Sequence, residues 1–505
     1  MHLTNVPAIT FVDMAKQKMF KLGEFLEVTI VSAAFGGKGV ARIPTDKGDF
    51  TIFVQNTYPG QKVRAQVIKC KNRYAECRLC HVIEPSPDEI KTEFQNIPGA
   101  PYSTFPIDIQ HKYKEETALD IFERIGGVKD VRDKYTGIVG SPSYQHYRNK
   151  MEYSFSEIRH DIETDQKIDD FGLGFKHRGT WWAVENLDRD SGLFDKQIED
   201  DIYKVRLWCE KTGLPAWHPP KRKGFFRFFV IRRSIANDTL LINMVTTSGG
   251  EEAFIESEFV DFILSLWGSR VAGILHTIND NIGERVEARE GLSKLIYGVD
   301  RITEVLHGLK FDISLSSFFQ TNPQCAERLY TEVINLAIKK DMGGKDDIVL
   351  DLFCGTGTIS QLLAKHHEGE IIGVDIVESA IADARISASN NGADNITFHA
   401  ADVGKFLLEY PEYKGRIRTL VMDPPRAGIS PKSLRKVIRL LADRIVYVSC
   451  NPATQARDMA TLEENGYQLI SIKLVDQFPH TAHVESIALF ERIPGSMPII
   501  NMRNQ

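Results

Sequence analysis

The stretch DIVLDLFCGTGT, residues 347–358, decides the fold of the C-terminal part of the chain. An apolar strand pattern runs directly into a turn that contains Gly355 and Gly357, and a helical pattern follows. Glycine permits tight turning and a close approach of the backbone to a bound molecule. The turn lacks the full GxGxxG spacing, so it does not require a dinucleotide.

The residues that follow repeat this alternation of strand and helix. Strand patterns occur at EIIGVDI, NITFHAA, TLVMDPP and RIVYVSC, with helical patterns such as ESAIADARISASN and SLRKVIRLLAD between them. Apolar strands that alternate with helices predict a largely parallel sheet with both faces covered. Ligands of such Rossmann-like sheets bind at the carboxyl ends of the strands. We therefore predict an α/β domain with its functional site at that edge.

Chemically useful residues stand at these strand ends. Asp375 closes its strand 20 residues after Gly355, where an acid typically accepts hydrogen bonds from a ribose. Asp423 precedes two prolines, which stiffen the chain and direct a polar group into the crevice. Cys450 ends the next strand as a candidate nucleophile, and Glu485 follows as a candidate base. Each residue type also occurs in purely structural roles, so the prediction depends on their combination.

Length and composition are those of an ordinary multidomain protein. The chain has 505 residues, of which 42% are hydrophobic and 26% charged, and a size of about 150 residues per domain suggests roughly three domains. The sequence contains neither an uncharged apolar run long enough for a membrane span nor an evident signal peptide. Seven cysteines, an odd number in a long chain, fit a reducing compartment. We expect a cytoplasmic protein without a membrane partner.

Basic residues are concentrated in two places, although the net charge of the chain is −6. Residues 1–82 contain twelve Lys and Arg against six acids. Residues 221–233, KRKGFFRFFVIRR, contain six basic residues, four phenylalanines and no acid. Such a mixture is typical of surfaces that bind phosphates and stack bases, and equally of a core strand flanked by solvated charges. Both interpretations stay open at this point.

Three structural regions are predicted along the chain. Before residue 83, short alternating strands are separated by Gly36-Gly37 and Pro59-Gly60, which predicts a small five-stranded barrel of the oligonucleotide-binding kind. Further on, helical patterns lie near residues 112–126 and 256–267 among strand-like runs. The expected divisions are an N-terminal extension (1–15), the barrel (16–82), a linker and central α+β domain (83–310) and the Rossmann-like catalytic domain (311–505).

Several motifs together resemble one enzyme family, the RNA 5-methyluridine methyltransferases, which use S-adenosylmethionine. The matching motifs of the C-terminal half are SFFQTN (317–322), DLFCGTGT (351–358), MDPPRAG (422–428), VYVSCNPAT (446–454) and FPHTAHVES (478–486). Upstream, YRNKMEYSF (147–155) resembles the family's central domain, and GKGVAR and YPGQKV resemble its TRAM barrel. The resemblance covers nearly the whole chain.

The resemblance implies a role for each candidate residue. Cys450 adds to carbon 6 of a uracil, which makes carbon 5 reactive towards the methyl group of the cofactor, and Glu485 then removes the carbon-5 proton. The residues that orient the uracil or hold the cofactor are Gln320, Phe353, Gly355, Asp375 and Asp423. A uracil inside folded RNA must be flipped out to reach the thiol. The barrel and the strand within residues 221–233 are expected to hold the surrounding RNA.

The sequence departs from this family at an iron–sulfur cluster. Many relatives hold a four-iron cluster with four cysteines. The aligned positions in this sequence, residues 97–100 and Asp190, contain no cysteine. Cys70, Cys77 and Cys80 lie in the predicted barrel, and a strand would point Cys77 and Cys80 to opposite faces. We expect no cluster and no metal ligands.

The expected partner is RNA, and three alternatives stay open. The TRAM-like barrel favours 23S ribosomal RNA, because the transfer-RNA members generally lack it, and family precedent favours a monomer. The alternatives are a 5-methyluridine methyltransferase for transfer RNA, an amino-methyltransferase and a catalytically silent RNA-binding or ribosome-assembly protein. An amino-methyltransferase would need neither Cys450 nor Glu485.

Overall fold

The computed structural model describes residues 19–499 except 47, 163, 165, 251, 284–291, 339–346 and 414. The predicted extension, residues 1–15, lies outside the described residues. The chain divides between Ile90 and Lys91 into two compact units. Among the described helices, none combines the length and the apolar character that crossing a membrane requires.

The first unit is a six-stranded sheet with a single apolar core. Its strands are β1 (Phe25–Thr29), β2 (Ser32–Ala34), β3 (Lys38–Ile43), β4 (Phe50–Gln55), β5 (Lys62–Cys70) and β6 (Tyr74–Glu84), in the order β1-β5-β6-β4-β3-β2. Buried and half-buried residues alternate along β4, so one face of this strand joins the core. Five strands were expected, and the extra one is β2, whose three residues are too few to show a period-two pattern.

The central part of the second unit is a seven-stranded sheet with a hairpin beside it. The sheet strands are β8 (Lys150–Asp161), β9 (Gln166–Lys176), β10 (Val184–Asn186), β11 (Phe226–Arg233), β12 (Leu240–Thr246), β13 (Val271–Ile278) and β14 (Leu292–Gly298). Their order is β10-β9-β8-β11-β12-β13-β14. The helices α3 (Lys196–Lys211) and α4 (Glu256–Trp267) accompany this sheet, and the hairpin consists of β15 (Arg301–Leu306) and β16 (Leu309–Ser314).

The stretch of residues 221–233 contains a core strand, so its phenylalanines cannot stack bases. β11 lies between β8 and β12, and its neighbours cover both of its edges. The four phenylalanines are only 0–4% exposed. Arg227 and Arg232 are also buried, and their guanidinium groups donate to backbone carbonyl groups, among them those of Asn279 and Ser314. The expectation that this strand grips RNA is therefore wrong, and only residues 221–223 remain exposed.

The second sheet of this unit is the predicted, largely parallel one. Its strands are β7 (Tyr135–Val139), β17 (Ile348–Leu352), β18 (Ile371–Asp375), β19 (Ile396–Ala400), β20 (Ile417–Met422), β21 (Arg444–Ser449), β22 (Tyr467–Val475) and β23 (Glu485–Arg492). The order is β19-β18-β17-β20-β21-β23-β22-β7, with β23 antiparallel to both of its neighbours. The helices are α5 (Pro323–Ala337), α6 (Thr358–Ala364), α7 (Glu378–Asn390), α8 (Val403–Glu409), α9 (Pro431–Arg439) and α10 (Pro452–Glu464).

An early segment of the chain completes this sheet. The helices α1 (Ile107–Arg124) and α2 (Val131–Lys134) precede β7. β7 pairs in parallel with β22, and α1 contacts α10. A strand that precedes the central sheet in sequence is thus part of the largely parallel sheet in space.

Candidate active site

Five adjacent strands bring the predicted site residues to one edge of the sheet. β18, β17, β20 and β21 run parallel and end there, whereas the antiparallel β23 begins there. The residues at these strand ends are Asp375 on β18, Phe353 after β17, Asp423 after β20, Cys450 after β21 and Glu485 as the first residue of β23. The carboxyl edge of the sheet therefore gathers the candidate nucleophile, both candidate catalytic carboxylates and the glycine turn.

Cys450 and Glu485 are brought together by strand register. The last pair between β21 and β23 is Ser449 with Ser486, so the next residues outward on the two strands are Cys450 and Glu485. Side chains directly opposite each other in an antiparallel pair project from the same face. Consistent with this, the Glu485 carboxylate acts electrostatically on the Cys450 thiol.

The electrostatics of this pair favour neutral forms at rest. Burial, reinforced by the charge of Asp423, raises the pKa of Glu485 to about 8. Burial and the nearby Glu485 carboxylate raise the pKa of the half-buried Cys450 to about 11. The guanidinium of Arg426 opposes both effects and also hydrogen-bonds to the cysteine. Arg426 is thus the local cation that favours the thiolate and the carboxylate.

Two further residues belong to this acidic cluster and were not predicted as site residues. Asp351 is fully buried, accepts a 2.6 Å hydrogen bond from Ser360 Oγ, and has its pKa raised to about 7 by burial. Burial raises the pKa of Asp423 to about 6. The buried phenol of Tyr330, on α5, lies within electrostatic reach of Asp423, Glu485 and Asp351, and burial and these three charges raise its pKa. Asp351 could have been found, because it opens the DLFCGTGT motif.

The glycine turn has the geometry of a cofactor cradle. Phe353 and Gly355 have positive φ angles of 65° and 54°, and a Cβ built on Gly355 would meet only open space. At Gly357, with φ of 74°, a Cβ would lie 2.6 Å from the Phe398 ring, so this position requires glycine. Asp375 accepts hydrogen bonds from the backbone N–H groups of Gly355 at 3.0 Å and of Val377. Each carboxylate oxygen retains a lone pair for a ligand hydroxyl.

Gln320 is held at the site from two sides. Its backbone carbonyl accepts from Asn149 Nδ2 at 3.1 Å, and its side-chain oxygen accepts from Gln477 Nε2 at 3.3 Å. Its side chain also hydrogen-bonds to Tyr330. Asn322, two residues later, caps α5 and donates to the Gln477 carbonyl. The predicted residue Gln320 therefore lies beside the acidic cluster.

A buried ion pair anchors the loop that leads to Glu485. Lys114 on α1 and Asp476 are both 0% exposed and form a hydrogen-bonded pair, which His111 joins at 3.0 Å. Although burial alone would raise the pKa of Asp476, the charge of Lys114 holds it below its usual value. Lys114 also donates to the Phe478 carbonyl at 3.0 Å. The loop formed by residues 476–484, which we call the anchor loop, is therefore fixed by α1.

This arrangement suits the covalent activation of an electron-poor ring. A thiol that shares a face with a carboxylate of raised pKa provides a nucleophile and a proton acceptor about one strand spacing apart. The acceptor is a stronger base than an ordinary carboxylate because its pKa is raised to about 8. A cofactor in the glycine turn would lie at the same edge of the sheet.

Comparisons with known proteins agree with this interpretation of the fold. A family model described as tRNA (uracil-5-)-methyltransferase matches residues 263–493, and a TRAM domain model matches residues 20–80. An uncharacterized RNA methyltransferase of Clostridium acetobutylicum is 34% identical over 481 residues, covering 94% of this chain and 99% of the relative. One of Caldanaerobacter subterraneus is 34% identical over 474 residues, covering 93% and 99%.

A solved structure resembles nearly the whole chain. It is the tRNA (uracil-54, C5)-methyltransferase of Pyrococcus abyssi in complex with S-adenosyl-L-homocysteine. Its TM-score is 0.66 at 25% identity, and the match covers 92% of this chain and 100% of that protein.

The fold and these relatives define a class of enzyme, the RNA methyltransferases with a Rossmann-like catalytic domain. Within that class, the chain belongs to the RNA (uracil-5-)-methyltransferase family and carries a TRAM domain. The predicted fold class, family and enzyme class are confirmed.

Proposed function

We propose that this enzyme methylates carbon 5 of a uracil in 23S ribosomal RNA through a transient covalent bond between Cys450 and the ring. The observation that supports this most is the register of β21 and β23, because it sets Cys450 opposite Glu485 beside the glycine turn. In this proposal Cys450, Glu485 and Asp423 are the catalytic residues. Those that hold the cofactor are Gln320, Phe353, Gly355, Asp375 and Asp423.

Cys450 acts first. Its thiol loses a proton to solvent, which the half-buried position permits, and its sulfur bonds to carbon 6 of the uracil. The electron pair of the 5,6 double bond becomes available at carbon 5, which takes the methyl group. Glu485 removes the carbon-5 proton, the double bond re-forms, and the bond between sulfur and carbon 6 breaks. Arg426 stabilises the thiolate before attack, since its charge lowers the pKa of the thiol.

S-adenosylmethionine is the cofactor of this family, and the glycine turn suits it. It supplies an electrophilic methyl group on a sulfonium sulfur, and the sulfur would keep the electron pair of the broken bond and become a neutral thioether. The open space beside Gly355 and the remaining acceptor positions of Asp375 fit an adenosyl group whose ribose offers hydroxyls. Asp351, buried with one carboxylate oxygen that lacks a hydrogen bond to any described residue, is a further residue at this turn. We propose that it orients the turn.

Two exposed features are suited to holding the RNA around the target nucleotide. A cleft of about 490 Å³ beside the SFFQTN motif is lined by Arg148, Lys150 and Phe318, and Phe318 is 76% exposed. An exposed aromatic ring beside cations can stack a base while the cations contact phosphates. A second cleft of about 390 Å³ adjoins Arg222 and Lys223, whose side chains form no ion pair with any described carboxylate.

Transfer RNA is the second candidate substrate. The tRNA (uracil-54, C5)-methyltransferase of Pyrococcus abyssi matches over its full length. Because this match covers 92% of this chain, it extends into residues 20–80, so a TRAM domain is compatible with transfer RNA as well. Ribosomal RNA remains the proposal because the family resemblance favours it. The test is methylation of unmodified 23S ribosomal RNA and of unmodified transfer RNA by the purified enzyme. Methylation of transfer RNA alone would favour the second candidate, and methylation of neither would favour a silent RNA-binding protein.

Domain organisation and setting are part of the same proposal. We propose that residues 16–82 and 83–310 bind RNA and that residues 311–505 carry out catalysis, with β7 and α1 supporting the catalytic sheet. We propose a monomer, the state that family precedent favours. All seven cysteines are free thiols, which suits the reducing cytoplasm. No iron–sulfur cluster is part of the proposal.

A further inference from the structure

Three side chains with metal-binding atoms converge at the edge of the central sheet. They are His160 near the end of β8, His177 directly after β9 and Glu185 in the middle of β10. Their ligand atoms all lie within 4.8 Å of one another. β10 pairs with both β9 and β8, so the backbone itself holds the three side chains together.

The cluster is largely buried. His160 and Glu185 are less than a tenth exposed, and the two imidazole rings stack with centroids 3.6 Å apart. The carboxylate of Glu185 has His177 Nδ1, at 2.5 Å, as its partner among the described side chains. A buried carboxylate requires a positive partner, because desolvating an isolated charge is costly.

Three cations close in sequence to the cluster, Arg159, Lys167 and Arg178, have contacts of their own. Arg159 pairs with Asp170, and Lys167 lies 4.6 Å from the centre of the Trp182 ring. Arg178 donates to the carbonyl of Pro98 at 2.6 and 2.9 Å. The proposed catalytic steps use none of the three clustered residues. The cluster therefore has no explanation in the methyl-transfer reaction.

We propose that His160, His177 and Glu185 bind a divalent transition-metal ion of the zinc class. Two imidazole nitrogens and one carboxylate oxygen are a common protein donor set for Zn²⁺, and water completes the tetrahedron. Ligand atoms around Zn²⁺ lie about 2.0–2.2 Å from the ion, so the cluster contracts on binding. His177, whose side chain is 25% exposed, turns until its lone pair and that of His160 meet at the ion.

The ion would hold β8, β9 and β10 together at the edge of the central sheet rather than take part in catalysis. It binds only to the folded state, since the unfolded chain does not hold the three ligands together, so it raises the unfolding temperature. The sequence did not predict these three residues as metal ligands because of their spacing along the chain. The positions 160, 177 and 185 follow no short metal-binding motif, and only strand pairing joins them.

The experiment is a titration of the chelator-treated full-length enzyme with Zn²⁺, followed by calorimetry and thermal unfolding. One binding site per chain is expected, with a rise in unfolding temperature. The variants H160A, H177Q and E185Q should each weaken this site by at least about 10-fold, a loss that even groups behind the metal ligands cause. The matched control H366A, at an exposed histidine elsewhere, should bind as the wild type does. Methyl transfer should be unchanged in H177Q, which shows that this variant folds.

The absorption spectrum of bound Co²⁺ distinguishes the proposed site from a site with thiol ligands. Bound at the proposed site, Co²⁺ should give visible ligand-field bands without a thiolate charge-transfer band in the near ultraviolet. The proposal is overturned if H160A, H177Q and E185Q retain wild-type Zn²⁺ affinity and stabilisation. It is equally overturned if the wild type binds no Zn²⁺, or if the Co²⁺ spectrum has the thiolate band.

Discussion

Cys450 and Glu485 stand opposite each other at the ends of two antiparallel strands of one sheet, one residue beyond the paired serines Ser449 and Ser486. The two residues are 35 positions apart in the chain, and neither strand alone would define the pair. Asp423, directly after the adjoining strand β20, raises the pKa of Glu485, and the guanidinium of Arg426 lowers it. The protonation states of these site residues therefore depend on one another.

Removal of the thiol distinguishes this enzyme from an amino-methyltransferase. C450A is expected to transfer no detectable labelled methyl group to RNA, because the uracil ring is not activated without the sulfur. The control C80A removes a half-buried thiol of the TRAM unit and should retain wild-type turnover. Methyl transfer by C450A at the wild-type rate would refute the role of Cys450.

Arg426 should set the pH dependence of the reaction. Its positive charge lowers the pKa of Glu485, whose value is about 8, so R426Q raises that pKa further. The base must be ionised, and the acidic limb of the kcat/KM profile should therefore move to higher pH in R426Q. R426K keeps the positive charge, so its acidic limb should lie close to the pH of the wild-type limb. An acidic limb at the same pH in R426Q and the wild type would show that Arg426 does not act on the base.

The buried ion pair of Lys114 and Asp476 should contribute strongly to the free energy of unfolding, because it fixes the anchor loop to α1. K114M leaves the Asp476 carboxylate buried beside only His111, and removing one partner of a buried ion pair costs about 3–5 kcal/mol of unfolding free energy. The control K112M changes an exposed lysine on the same helix and should leave stability within about 0.5 kcal/mol. Denaturant unfolding measures both.

A second variant of this pair separates stability from positioning. The double variant K114M/D476L removes both charges and should recover much of the lost stability. The kcat of the double variant should nevertheless be lower than that of the wild type, because the anchor loop no longer holds Glu485 and Gln477 in place. Wild-type kcat in the double variant would contradict the positioning role.

Residues 221–223 should contribute phosphate contacts. Replacing Lys221, Arg222 and Lys223 by glutamine should make the slope of log K against log salt less steep by about 2, because each contact releases about 0.7 counterions or more. The control K196Q/K204Q removes lysines that already pair with Asp200 and Asp201, and it should leave the slope unchanged. Equal slopes for the triple variant and the wild type would exclude these contacts.

Local sequence patterns were sufficient to predict the site residues at the strand ends. They were not sufficient to predict the long-range contacts around these residues. Asp375, Asp423 and Cys450 could be placed because each ends an apolar strand next to a turn signal. The contact between Lys114 and Asp476 spans 362 residues, and no local pattern encodes it. The same holds for β7, which crosses to a sheet formed by much later residues.

The misread stretch within residues 221–233 has a physical explanation. Composition alone suggested a nucleic-acid surface, whereas β11 is buried on both faces in the middle of the sheet. The run FRFFVIRR has no alternation of apolar and polar residues, and this is typical of a strand without a solvent face. Its buried arginines donate hydrogen bonds to backbone carbonyl groups, which the sequence does not reveal.

The covalent intermediate provides the most direct test of the central claim. E485Q lacks the base that removes the carbon-5 proton, so its turnover should fall by about 10²–10⁴, and the enzyme should remain bonded to RNA. After incubation with S-adenosylmethionine and RNA that lacks 5-methyluridine, E485Q is predicted to give a protein–RNA complex that survives denaturing electrophoresis. The double variant C450A/E485Q should give none. A complex that persists without Cys450, or no complex from E485Q that still binds RNA, would contradict the account.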